Sequence, residues 1–231
     1  MCYRRAERLM QVFFEKYYYW LSYTSSYSIL VPLLAGLLLM LKFGYKSEVF
    51  RGVFLYVAFI AAVEASGILS IVLGTDNNIW ISHVYVPLEY ILITAIYYRS
   101  FDQKKIRAGM IGAGILFLLF CLAESLWGAG VESLNSYSRV IESTLLIALA
   151  LLYLFVLYKD LNYIYLAHDP LFVLSCGVMV YFAGTAMAYG MFNKALAISD
   201  NMARVCLSIT YILKISFNCF LVFVQRKAVS A

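Results

Sequence analysis

Histidine is nearly missing from this chain of 231 residues. Only His83 and His168 occur, so a three-histidine zinc site cannot be assembled. Charge is scarce too: Asp, Glu, Lys and Arg make up 13% of the chain, against about 25% in soluble domains. A water-exposed surface drawn from so few charges would not stay dissolved. H-E-x-x-H, G-x-S-x-G and phosphate-binding glycine loops are all absent, which removes the common hydrolase and nucleotide-binding signatures. None of the five cysteines (Cys2, Cys121, Cys176, Cys206, Cys219) forms a C-x-x-C pair or a zinc spacing. Four of them lie in apolar runs and read as small hydrophobes, so there is no disulfide framework. The basic residues form no contiguous patch interleaved with aromatics, which argues against nucleic acid as a partner.

What is abundant points to lipid. Hydrophobic residues are 64% of the chain and aromatics 17%, more than a soluble core of this size needs. An integral membrane protein explains this, and an all-α one, because backbone in lipid must satisfy its own hydrogen bonds. Seven apolar stretches separate, at 27–43, 53–74, 79–98, 108–128, 140–158, 170–192 and 205–224. Each is near the length that spans a hydrocarbon core of about 30 Å. The expected fold is a single seven-transmembrane-helix bundle over 27–225, with an N-terminal segment over 1–26 and a short tail over 226–231. Short links such as "TDNN" (75–78) and "HDP" (168–170) make consecutive helices antiparallel neighbours. Asn78 is expected to cap the third helix, and Asp169 with Pro170 to open the sixth.

Lys and Arg placement sets the expected orientation. One side would carry Lys42, Lys46, Arg51, Arg99, Lys104, Lys105, Arg107, Lys159, Arg226 and Lys227. The other would carry Arg4, Arg5, Arg8, Lys16, Arg139, Lys194 and Arg204. The richer side should be cytoplasmic, with the N-terminus outside and the C-terminus inside. In the N-terminal segment, Arg4, Arg8, Gln11 and Glu15 fall on one helical face, and Ala6, Leu9, Met10, Phe13 and Tyr17 on the opposite one. That pattern is an amphipathic helix suited to the membrane interface, as an anchor or a partner-binding element.

The run "SITYILKISFNCF" (208–220) places Lys214 at the centre of the seventh span. A central lysine costs about 2.5–3.5 kcal/mol on insertion scales, so something must offset it. Glu64 and Glu89 stand at the middle of the second and third spans, and the three are expected to share one interior cluster. Thr210, Tyr211 and Asn218 lie on the face of Lys214 at i−4, i−3 and i+4. Tyr85 and Ser82 do the same for Glu89. Ala62, Ser66, Ser70 and Gly74 form a small-residue stripe that would let a neighbouring helix approach closely. His83 is a candidate proton relay or pH sensor, with Pro87 expected to bend the helix between it and Glu89. Glu124, Glu132 and Glu142 gather near the outer ends of the fourth and fifth spans, as vestibule residues or as solvated acids. The midplane cluster itself reads either as a register-fixing ion pair or as a site for a ligand, ion or proton.

"NIWISHVYVPLEYILITAIYY" in the third span and "DPLFVLSCGVMVYFAGTAMAYGMF" in the sixth resemble uncharacterised seven-helix bacterial membrane proteins. That resemblance covers most of the chain and implies a bacterial inner-membrane protein. "YILKISFNCFLVF" is also similar to the last helix of microbial rhodopsins, in which a lysine carries retinal as a Schiff base and a third-helix carboxylate is the counterion. The resemblance would give Lys214 and Glu89 those roles. Thr210 stands where that family usually has Asp, the sixth span lacks the Trp and Tyr-Pro that pack on retinal, and the region around Trp80 lacks the family's Arg. A receptor- or sensor-like protein with a midplane site of Glu64, His83, Tyr85, Glu89, Thr210, Tyr211, Lys214 and Asn218 is the expected function, with no cofactor. It would act through a cytoplasmic signalling partner or as a homo-oligomer. A transporter of small solutes or ions, a retinal protein, and an intramembrane hydrolase using Glu64 and Glu89 are the alternatives.

Overall fold

The computed structural model describes residues 17–44, 47–75, 78–127, 135–159 and 166–230, apart from the side chain of Ala167. The described chain is all-helical, with no strand among the described residues. The helices are α1 (Tyr17–Phe43), α2 (Glu48–Val72), α3 (Trp80–Ser100), α4 (Lys104–Trp127), α5 (Ser136–Lys159), α6 (Pro170–Ile198) and α7 (Asp200–Ser230). All but α3 are long and apolar enough to cross a membrane. The 21 residues of α3 are diluted by Ser82, His83, Pro87 and Glu89. The helical Arg4-to-Glu15 face expected from the sequence lies outside the described residues, as do Glu132, Lys46 and the 160–165 link.

Several boundaries follow from local chemistry. The Asp169 side chain accepts from Leu171 N at 2.9 Å and Pro170 occupies the first turn, the expected opening of α6. Ser47 caps α2 by accepting from Phe50 N. Asn78 does not cap α3 with its side chain. Its backbone carbonyl accepts from Ile81 N at 3.1 Å, and the residue lines an interior cavity. Pro87 lies within a continuous α3. Within α1, Ser28 and Ile29 form a turn. Pro32 has no N–H to give the Ser28 carbonyl, and Val31 N takes that carbonyl at 3.2 Å instead. Residues 226–230 continue α7 as its last turn.

The helices close into a ring in chain order, with α1 back against α7, while α3 also reaches α5 and α2 also reaches α7. The α6–α7 pair, joined only through Ser199, packs most extensively. Two glycines of α6 allow it. A Cβ on Gly177 would stand 2.5 Å from the Phe220 ring, and one on Gly184 would stand 2.4 Å from Leu213. The small-residue stripe expected to serve this purpose does not. Ala62 and Ser66 are exposed on the outer surface of α2, because that helix turns its Val53, Tyr56, Val57 and Ile60 face to the core, and Gly74 lies exposed beyond its end. Large apolar side chains such as Leu38, Leu116 and Val180 are about 70% exposed around the bundle. So much apolar surface suits lipid rather than water.

Candidate functional site

The fully buried residues are unevenly placed along the bundle. Val53, Val57, Ile93, Tyr97, Leu146, Leu174 and Leu221 fill one half, near the starts of α2 and α6 and the end of α3. Tyr97 Oη and Ser175 Oγ, 2.9 Å apart, lie in this packed half. The other half holds a cavity of about 620 Å³. Its walls include Ser22, Ser26 and Tyr27 of α1, Val63, Glu64 and Gly67 of α2, and Ile81, Ser82 and Tyr85 of α3 with Asn78 and Ile79 just before it. Arg139 of α5, Tyr181 to Tyr189 of α6 and Thr210 to Lys214 of α7 complete it. It runs from the α2–α3 turn to mid-bundle and stops at the packed half.

Lys214 Nζ pairs with Glu64 Oε1 on this wall, each side chain 23% exposed. The expected offset for the part-buried ammonium is therefore present, and Glu64 supplies it. Glu89 belongs to a second, deeper group. Its Oε1 accepts from Tyr56 Oη at 2.8 Å, and its Oε2 is 3.7 Å from a terminal nitrogen of Arg139. The sequence reading put Lys214 with both carboxylates and placed Arg139 at the outer surface. Instead Arg139 points into the bundle, its side chain 15% exposed, with its guanidinium 4.8 Å from the Tyr85 ring centre and 5.0 Å from that of Tyr189. Aromatic faces suit a guanidinium taken out of water. Phe59 stacks on Tyr85, and Phe217 stacks on Tyr181 with centroids 4.5 Å apart, so the aromatic walls are themselves held.

Of the expected site residues, Glu64, Tyr85, Thr210, Tyr211 and Lys214 line the cavity. Glu89 sits behind it, joined through Arg139. His83 faces α4, its Nδ1 2.9 Å from Ser125 Oγ. Asn218 donates to Ser28 Oγ at 2.7 Å and pins the turn in α1. Glu142, expected near an outer vestibule, is 1% exposed inside the bundle, and Glu124 is bound by the backbone N–H and hydroxyl of Ser138. Sequence reasoning missed Arg139, Tyr181, Thr185 and Tyr189. For Arg139 a signal existed: "SRVIES" puts it three residues before Glu142, on one helical face with it.

Among the described residues no three His, Cys, Asp or Glu side chains converge as metal ligands. No protein-family model, curated protein or solved structure matches the chain.

Proposed function

We propose that the chain is a polytopic inner-membrane protein of bacteria, receptor- or sensor-like, that takes a small polar ligand into the tyrosine-lined cavity. The observation that carries this reading is that the cavity is one-sided: it is lined by Arg139 and the Glu64–Lys214 pair and backed by a packed half. A cavity of this size holds a small molecule, and a few placed polar groups on an apolar wall give orientation. With the N-terminus outside, the cavity faces the exterior. Moving Arg139 to the interior leaves six basic residues on the outer side against ten on the inner, which strengthens the positive-inside argument. Reporter fusions after Arg107 and after Lys227 are both expected to report cytoplasm. An outside signal from either contradicts the orientation.

A receptor of this kind would signal through a cytoplasmic partner or a second copy of itself. Native mass spectrometry of gently extracted protein is expected to show a retained small molecule that is lost in a Gly67→Trp variant, whose side chain would fill the cavity. A spectrum of bare protein alone counts against the reading. The transporter reading draws on the charged groups lining the cavity near the middle of the bundle. Uptake of a labelled solute into proteoliposomes would favour it, and ligand-dependent co-purification of a cytoplasmic protein would favour the receptor.

The other readings have less support. A two-carboxylate hydrolase needs Glu64 and Glu89 at one substrate, yet Glu64 is paired on the cavity wall and Glu89 lies behind it. Retinal would need the Lys214 amine that Glu64 engages. Adding all-trans retinal to the expressed protein is expected to give no visible absorbance band. A band abolished by Lys214→Ala would reverse that ranking.

A further inference from the structure

Glu89 and Glu142 are the two most deeply buried carboxyl groups among the described residues, at 0% and 1% exposure. They come from α3 and α5 and lie within electrostatic reach of each other and of Arg139, whose terminal nitrogen is 3.7 Å from Glu89 Oε2. Lys214, the other interior cation, is committed to Glu64. The deep group therefore has two acids and one base. Lys214 of α7 is felt at Glu89, but Glu64 neutralises it, so the pair adds no net charge. The remaining neighbours are neutral: Tyr56 from α2, Tyr85 from α3, Cys121 from α4, and Tyr181 and Tyr189 from α6. Phenols and thiols in such surroundings are neutral.

The hydrogen bonding is short by the same measure. Among the described residues Glu142 Oε1 and Arg139 Nε have no hydrogen-bond partner, and Glu89 has only the phenols of Tyr56 and Tyr85. The Arg139–Glu89 approach of 3.7 Å is longer than a hydrogen bond. A buried ionised carboxylate without a cation of its own is costly, and such groups neutralise instead. Two carboxylates sharing a site do so by holding a proton in common.

We propose that Glu89 and Glu142 together form a proton-binding site that holds one proton between them, with Arg139 balancing the remaining negative charge. The two acids stand behind the cavity and Arg139 joins them to its wall; the charge count holds whichever ligand the cavity takes. Charge counting makes a sharp demand. Removing either acid leaves one carboxylate for one guanidinium, and the proton departs. Removing the guanidinium leaves two carboxylates without a cation, and a second proton enters.

Infrared spectroscopy of the purified full-length protein at neutral pH reads this directly. The wild type is expected to show a protonated-carboxyl C=O band that shifts on exchange into D2O. Glu142→Gln and Glu89→Gln are each expected to lose it, and Arg139→Gln is expected to roughly double it. The wild-type spectrum alone keeps the proposal falsifiable where a variant fails to fold. No band in the wild type overturns it, including a case in which sodium stabilises the protein in the proton's place. A band kept in either single Gln variant overturns it as well.

Discussion

Lys214→Met is expected to destabilise the folded protein by about 3–5 kcal/mol, and Glu64→Gln by a similar amount, because each strands the partner charge inside the bundle. Glu64→Gln combined with Lys214→Met should recover most of the loss, since two neutral side chains of similar volume then meet across α2 and α7. The coupling in this double-mutant cycle should be about 2 kcal/mol or more. The contrast is built into the same molecule. Glu48 and Arg99 also form a direct contact, but their side chains are 65% and 54% exposed. A cycle on that pair should give less than about 1 kcal/mol, as exposed ion pairs do. Urea or thermal unfolding in a fixed detergent measures both. If the Glu64 and Lys214 losses simply add, the two charges are not partners and the offset for the buried lysine lies elsewhere.

The second large effect is steric. Gly177→Val is expected to cost about 1–3 kcal/mol by overpacking. Its Cβ would stand 2.5 Å from two ring carbons of Phe220 and 3.3 Å from the Phe217 ring. Phe217 stacks on Tyr181, which lines the cavity. A shift there should therefore weaken ligand retention as well as stability. Phe220→Ala in the Gly177→Val background should restore part of the stability, since it removes the obstructing ring. Gly112→Ala is the control. A Cβ on Gly112 meets nothing within 4 Å, so no loss is expected there. Equal losses at Gly112 and Gly177 would show that chain flexibility, not close approach of α6 and α7, sets the cost.

Helix order among the described residues was legible because it depends on runs of apolar residues: each of the seven runs overlaps a helix, and six of those helices are long and apolar enough to cross a membrane. The Asp169–Pro170 start was legible because capping is local. Pairings between helices were not, because a helix apolar on nearly every face does not announce which side turns inward. The stripe of Ala62, Ser66 and Ser70 shows this: its spacing was right for close packing, but α2 is rotated so that Ala62 and Ser66 lie outside. The lysine at 214 demanded a carboxylate, and its depth narrowed the choice to two; only the rotation of α2 and α3 selects Glu64 over Glu89. Arg139 was counted with the loop charges because it stands four residues into α5, where a basic side chain usually reaches water. Its burial follows from Tyr85 and Tyr189, on two other helices, and no local pattern around Arg139 reports them.

In the proposed orientation the cavity opens to the exterior and ends at mid-bundle. Gly67 lies on its wall, one turn from Glu64, and a Cβ there meets only Asn78 Nδ2 at 3.8 Å. Gly67→Cys in a background with the five native cysteines replaced is therefore a gentle probe. A membrane-impermeant thiol reagent should label it when added outside spheroplasts, and should fail to label it from the cytoplasmic face of inverted vesicles. Labelling from the cytoplasmic face alone, or from neither face, would contradict the claim.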